Sequence, residues 1–327
     1  MSSSMLFRYD VLCVGSATLD RFLTIDAPLK SIRPGDKLLV KSTEIHSGGG
    51  ATNSAAALSV LGLNAKVLAK LGRDHDADLI LREMKQYHLS PRCQSRSRHP
   101  TDSSTIISSH QSSDRVIFVQ KGASQDLTPA DFSAAHPHPR WIYLATLLGK
   151  SFQTAKTIAA YAKARKIKLL FNPSFYLAQK GRSYLKQILQ ATTVLVLNKE
   201  EAQALLHVKT GNTSLLLHQL HALGPETIVI TDGAQRCSAF NNDQIYSYLP
   251  PRVKIVHTAG AGDAFTSGLL AGLIKKWNFE DCLRLGQANA SSVIQRIGTK
   301  NGLLTEKQAL AEIKKLKIKI GVSSSDR

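Results

Sequence analysis

From Arg140 onward the chain alternates short apolar runs with helical stretches, and that rhythm narrows the folds open to it. The runs are Trp141–Leu144, Lys168–Phe171, Val194–Leu197 and Thr227–Thr231, with stretches such as Phe152–Arg165 and Glu200–His207 between them. Short strands that are apolar throughout and separated by helices argue for βαβ units and a parallel sheet covered on both faces. Asp10–Gly15 reads as another buried strand, closed by its glycine, and Ala65–Leu71 as a further apolar run. Helical stretches are expected after Gly48, over Ala77–His88, and after Gly262, where Phe265, Leu269 and Leu273 recur at i, i+4 and i+8. Two pieces break the rhythm. One is the region between the first strand and Gly48; the other is the pair Thr105–Ser109 and Arg115–Gln120, which flanks His110–Asp114 as a hairpin would. A second, small sheet standing off the main one is the simplest home for both. Open α/β sheets bind ligands beyond the carboxyl ends of their strands, and a stand-off sheet there would act as a lid.

A length of 327 residues suits either two domains of roughly 150 residues or one large α/β domain with an appendage. Hydrophobic residues at 43% and charged residues at 20% supply a core and exclude a disordered tail. No apolar run approaches the roughly 18–20 residues of a membrane span. The start, Met1–Asp10, makes a poor signal peptide. Cys13, Cys93, Cys237 and Cys282 lie far apart with no CxxC pair, which excludes the usual zinc and thioredoxin patterns and reads as reduced thiols. A cytoplasmic protein is expected. The charge is the odd feature: 42 Lys plus Arg against 24 Asp plus Glu leave +18, a field that attracts polyanions. The excess is spread along the chain, although Arg82–His99 and Lys314–Lys319 are dense. No aromatic residues interleave with the basic stretches in a stacking pattern, so no dedicated nucleic-acid site is read.

Four segments carry candidate chemistry. In His257-Thr-Ala-Gly-Ala-Gly-Asp263 the small residues Gly260, Ala261 and Gly262 leave backbone N–H groups bare at a helix start, an anion site. Asp263 sits in the first turn, where a carboxylate beside an anion is costly unless it has a task such as accepting a proton; capping the helix is the plain alternative. Ser47-Gly-Gly-Gly-Ala-Thr-Asn53 also opens a helix, and Asn53 offers a polyol both a donor and an acceptor. A glycine-rich turn needed only for packing is its bland reading. Asn198-Lys-Glu-Glu201 follows a strand, so Asn198 and Glu201 would face the ligand crevice and hold a hydrated magnesium, or form an ordinary helix cap. Thr231-Asp232-Gly233 ends a strand and reads as a phosphate contact or as a turn.

Together, in this order and at these distances, the four segments resemble the ribokinase-like (phosphofructokinase B) carbohydrate kinase family, over about Asp10 to Gly302. The resemblance implies a doubly wound, mostly parallel α/β sheet with helices on both faces and a small β-sheet lid. It places one kinase domain at 1–320 with lid segments near 20–46 and 100–122, followed by a tail at 321–327. It implies transfer of the γ-phosphoryl group of ATP to a hydroxyl of a sugar or related alcohol. Asp263 would then be the base, and Gly260, Ala261 and Gly262 the anion hole. Asn198 and Glu201 would organise Mg2+ through water. Thr231, Gly233 and Thr258 would contact the nucleotide, with Asn289 near the adenine. Asp20, at the end of the first strand, would bind substrate hydroxyls with Gly49 and Asn53. A homodimer through the lid is also implied.

Three departures from the family pattern matter. His257 replaces an aspartate that helps hold a monovalent cation, and imidazole is a poor potassium ligand. Arg236 stands where the Thr-x-Gly-x-x-Gly pattern ends in glycine, which would put a positive charge near the nucleotide. Gly48-Gly-Gly-Ala-Thr-Asn53 and Thr18 differ from ribokinases proper. A nucleoside kinase would want aromatic lid residues, of which Phe22 and Phe118 are the candidates. A phosphosugar kinase would use a basic lid residue such as Arg115 or Lys121. A catalytically silent ligand- or nucleic-acid-binding member is the reading from outside the enzyme class.

Overall fold

A computed structural model describes residues 9–90, 96–111, 115–135 and 138–324. The first part of the chain forms β1 (Tyr9–Val14), β2 (Thr18–Ile25), β3 (Val40–Gly48), α1 (Gly50–Val60), β4 (Ala65–Leu68), α2 (His75–Gln86), β5 (Asp102–Ser109), β6 (Arg115–Gln120) and α3 (Pro129–Ala134). It continues through β7 (Pro139–Ala145), α4 (Phe152–Arg165), β8 (Lys168–Asn172), α5 (Phe175–Ala178), α6 (Gly181–Leu189), β9 (Val194–Asn198), α7 (Lys199–Leu206), α8 (Thr213–His221) and β10 (Thr227–Thr231). The last elements are β11 (Cys237–Asn241), β12 (Gln244–Tyr248), α9 (Ala261–Ile274), α10 (Phe279–Val293), α11 (Glu306–Leu316) and β13 (Gly321–Ser324).

Nine strands make the main sheet in the order β13-β12-β11-β10-β9-β8-β7-β1-β4. From β4 to β10 all neighbours are parallel, while β11, β12 and β13 continue the sheet antiparallel. The doubly wound fold expected from the sequence is therefore present. The β11–β12 hairpin was not read, because its strands follow a turn rather than a helix. Gly321–Ser324, expected in a tail, pairs with β12 at the sheet edge.

Alternation along each strand feeds two cores. Val11, Cys13, Val67 and Tyr143 face α1, α2, α9, α10 and α11, whereas Leu12, Val14, Ile142 and Leu144 face α3 to α8. Each fully buried aliphatic side chain contributes roughly 1.5–3 kcal/mol, so both faces hold the sheet strongly. Cys13, Cys237 and Cys282 are buried free thiols; Cys93 lies outside the described residues, as do Met1–Arg8 and part of the dense Arg82–His99 stretch. No helix among the described residues is long and apolar enough to cross a membrane.

The second sheet, β3-β2-β5-β6, takes up the two pieces that broke the rhythm. Its central pair is parallel and its outer pairs antiparallel. All six residues of the edge strand β6 are exposed.

The strand order makes a switch point. From β1 the chain first winds to β4 on one side, then returns to β7 on the other, so loops leaving β1 and β7 part company and open a crevice. Helix α9 reaches that crevice packed tightly on α10: a Cβ at Gly268 would lie 2.8 Å from the Gly286 Cα and from the Leu285 carbonyl oxygen. Gly268→Val is expected to destabilise the protein by about 1–3 kcal/mol, as overpacking does, read as a lower urea midpoint. Gly211→Ala, where a Cβ meets nothing within 4 Å, is the control and should leave the midpoint unchanged.

Candidate active site

The crevice is a cavity of about 1180 Å³. Its floor is made by strand ends: Ser16 after β1, Ala145 and Thr146 at β7, Asn172 on β8, Asn198 on β9 and Thr231 on β10. Two helices begin there. Helix α1 starts at Gly49 (φ 97°) and α9 at Gly260 (φ 80°), and no side chain among the described residues caps either start. Both glycines hold left-handed backbone against close neighbours. A Cβ at Gly260 would stand 2.5 Å from the Thr299 carbonyl oxygen, and one at Gly49 the same distance from the Ser16 carbonyl oxygen. At Gly262, by contrast, a Cβ would meet nothing within 4 Å. Gly260, Ala261 and Gly262 thus present the positive end of α9 to open space in the cavity, the arrangement that attracts anions.

Asp263 lines the same cavity. Its Oδ2 accepts a 2.8 Å hydrogen bond from the Asn53 amide, which links the starts of α9 and α1. Burial pushes its pKa up to about 6, with Asp20 adding to the rise and the Asn53 bond and Lys300 opposing it. Asn53 is itself occupied: its Oδ1 lies 2.9 Å from the Thr299 hydroxyl and 3.2 Å from the Lys300 ammonium. Only the second N–H of its amide is left for a ligand.

Asp20 is not at the end of the first strand. It is the third residue of β2, on the second sheet, directly opposite Ser104 of β5. Ser104 donates to Asp20 Oδ1 at 2.6 Å and Thr18 at 3.2 Å. Burial raises the Asp20 pKa against those bonds and against Lys300 and Lys121. A side chain at Gly48 would collide with the Asp20 carboxylate, which explains one glycine of the Gly48–Gly50 run.

Asn198 and Glu201 form a capping box on α7, each side chain bonding the other's backbone N–H at 2.8 Å. Both also line the cavity. Burial, with Glu200 and Asp263 nearby, pushes the Glu201 pKa up to about 7. The cap reading is true of the backbone, and the carboxylate still faces the crevice. Thr231, Gly233 and Thr258 line the cavity as well.

Asn289 does not belong with them. It is fully buried, donating to the Ala264 carbonyl and accepting from the Leu304 N–H, so it braces α10 against α9 and the loop before α11. Nor does Arg236 reach the cavity; it donates to Ser247 on β12, and the arginine lining the crevice is Arg252. His257 packs its ring on Phe22 of β2 (4.9 Å between centroids) and accepts the Ala259 N–H at Nδ1. Burial, Arg115 and His46 lower its pKa. Phe22 is thereby used up as a contact between the second sheet and the loop before α9. Arg115, on the second sheet, donates to Thr258 at 2.7 Å, and Lys121 pairs with buried Asp102 at 3.4 Å. Sequence reasoning missed Ser104, Thr299, Lys300 and the apolar slot of Leu249, Val253, Ile255 and Ile294. The glycines flanking Gly298-Thr-Lys-Asn-Gly302 were the one signal of a tight loop there.

A profile of the pfkB family carbohydrate kinase matches residues 8–306. The chain belongs to the pfkB family of carbohydrate kinases. A ribokinase of Bacillus subtilis (strain 168) is 26% identical over 302 residues, covering 91% of this chain and 97% of that one. A nucleoside kinase of Methanocaldococcus jannaschii is 23% identical over 312 residues, covering 94% and 98%. The structure of Arabidopsis thaliana ribokinase complexed with ribose and ATP superposes with a TM-score of 0.78 at 19% identity, covering 94% of this chain and 99% of that one. The fold of this family member is the ribokinase fold.

The raised pKa of Asp263 has a consequence for stability. The folded state holds this proton more tightly than the unfolded chain does, so the contribution is present at acid pH and lost as pH rises from about 4 through 6. Asp263→Asn, which keeps an acceptor for Asn53, is expected to be more stable than wild type by about 1 kcal/mol at pH 8. Thermal unfolding should show that gap closing by pH 4.5.

Proposed function

We propose that this chain is an ATP-dependent kinase that moves the γ-phosphoryl group to a hydroxyl of a sugar or sugar derivative, with Asp263 as the base. The observation that carries the reading is the Asp263 carboxylate standing beside the uncapped start of α9, in the cavity at the switch point. With a pKa of about 6 it is ionised at neutral pH yet basic enough to share a proton.

Asp20, Gly49 and Asn53 bind and orient the acceptor, which enters between the two sheets. Asp263 takes the proton of its attacking hydroxyl. That oxygen forms a bond to the γ-phosphorus as the bond to the bridging oxygen breaks, and ADP leaves. The backbone N–H groups at Gly260, Ala261 and Gly262 stabilise the negative charge on the transferring group, which is the larger part of catalysis in phosphoryl transfer. Thr231, Gly233 and Thr258 hold the nucleotide phosphates, and the apolar slot around Leu249 and Ile255 takes its base. The fit to the nucleotide rests on that slot: Leu249 and Ile255 are 60% and 57% exposed, apolar side chains turned to solvent within the cavity lining.

Magnesium fits the Asn198–Glu201 corner, where burial, with Glu200 and Asp263 adding to it, pushes the Glu201 pKa up to about 7 and a cation would favour the charged carboxylate. When bound it would neutralise phosphate charge, held through water and phosphate oxygens, because no cluster of three or more protein ligands exists among the described residues. Phe22, buried against His257, is not free to stack on a nucleobase, which favours a sugar over a nucleoside acceptor. The exposed apolar residues Val116, Ile117, Phe118 and Val119 of edge strand β6 support a homodimer through the second sheet.

The test is ADP release from ATP and magnesium across pentoses, hexoses, hexose phosphates and nucleosides. One acceptor should give turnover, and Asp263→Asn should lower it by about 10²–10⁴ while keeping ATP affinity. A variant within tenfold of wild type would sink the base assignment; no acceptor-dependent turnover together with loss of magnesium-dependent ATP binding would favour the silent reading, whereas ATP binding without turnover would mean an acceptor outside the panel. The same acceptor should show kcat/KM falling as pH drops through about 6, as Asp263 takes up its proton.

A further inference from the structure

We infer that Lys300 is a positioning residue for the carboxylate of Asp263: its buried ammonium, with the Thr299 hydroxyl, turns the Asn53 amide so that the NH2 faces Asp263. The inference rests on the reading of Asp263 as the base, and adds a residue that the family motifs in this sequence do not contain.

Lys300 is 5% exposed, and its ammonium has three neighbours that accept. They are the Ser47 carbonyl oxygen, Asn53 Oδ1 at 3.2 Å and Glu83 Oε1 at 3.2 Å. Three acceptors call for three N–H donors, which only the charged ammonium possesses. The Thr299 hydroxyl lies against the same two oxygens, 3.0 Å from Ser47 and 2.9 Å from Asn53. Asn53 Oδ1 therefore faces an ammonium that can only donate and a hydroxyl whose one proton it shares with the Ser47 carbonyl. The reversed amide would aim an NH2 at an ammonium and a carbonyl-type oxygen at the Asp263 carboxylate, two repulsions in a buried place. So the orientation of Asn53 is fixed from behind, and the 2.8 Å bond to Asp263 follows from it. The loop also braces the other partner, since the Thr299 backbone is what the Gly260 turn packs against.

A positive charge placed behind Asn53 also keeps Asp263 ionised in a crowded field. The groups acting on Asp263 are Asn53 from α1, Lys300 from the loop before α11 and Asp20 from β2; Asp263 in turn acts on Cys13 of β1, Tyr143 of β7 and Glu201 of α7. Of these only Asn53 and Lys300 favour the charged carboxylate. Burial lowers the Lys300 pKa, and Glu83, in contact with the ammonium, opposes that fall together with Asp20 and Asp263.

The full chain, labelled with 13C at the aspartate carboxyls, is titrated without ATP or acceptor, and the Asp263 signal is identified by its loss in Asp263→Asn. Three variants are compared with wild type. Lys300→Met removes the ammonium. The double variant Glu83→Gln, Lys300→Met removes it without stranding a carboxylate, and Thr299→Val removes the other donor. The Asp263 midpoint should rise by about one pH unit, a tenfold weaker acid, in both Lys300 variants, and by less in Thr299→Val. A midpoint within about 0.2 pH units of wild type, in any of these that folds, overturns the inference. A purely structural lysine would lower the unfolding temperature and leave the midpoint where it was. Because the titration needs no turnover, it stands apart from the Asp263→Asn activity test, and each can fail without the other.

Discussion

The hydrogen bond between Asn53 and Asp263 joins two helix starts that are 210 residues apart in sequence. Each start is a glycine turn that approaches backbone too closely for any side chain, Gly49 on Ser16 and Gly260 on Thr299. Remove that closeness and the two positive helix ends no longer share one cavity. The strand order permits it, since β1 and β7 part at the switch point and leave room for both. The tight seat of α9 on α10 then fixes the depth at which Asp263 sits.

This arrangement works against stability. Asp263 and Glu201 have pKa values pushed to about 6 and about 7 chiefly because both carboxylates are drawn out of water. A core built for stability alone would replace them with apolar or amide groups. Their cost is held down by local means: Asn53 and Lys300 for Asp263, and the backbone N–H of Asn198 for Glu201. Titratable groups kept in such surroundings mark sites that do chemistry more often than sites that hold a fold. The second sheet closes one side of the cavity, which Val119 of β6 lines, and its contacts there include Phe22 on His257 and Arg115 on Thr258.

The parts of this protein written in local patterns were legible. Apolar runs of four or five residues at Trp141–Leu144 and Thr227–Thr231 can only be buried strands when helices flank them, and they are strands. The glycine clusters announced helix starts, because few other residues accept left-handed backbone at those points. Asp263 stood out because the small residues Gly260, Ala261 and Gly262 stand directly before it and open the same helix. Asp20 was recognised as a residue but misplaced, since its strand belongs to a different sheet from the one just before it. Asn289 looked equivalent to its family position, yet its burial and its bonds to Ala264 and Leu304 turn it into a brace.

What the sequence by itself determined is the alternation that makes a doubly wound sheet, and the short glycine-rich segments that open α1 and α9, both set by interactions within a few residues. What only the tertiary structure decided is which side chains meet across the cavity. Ser104 faces Asp20 because β5 pairs with β2 in one register, and Lys300 reaches Asn53 because its loop folds back under the Gly260 turn. Those contacts span 84 and 247 residues of chain. No local propensity encodes them; they arise when burial of the two cores brings distant loops to the same strand ends.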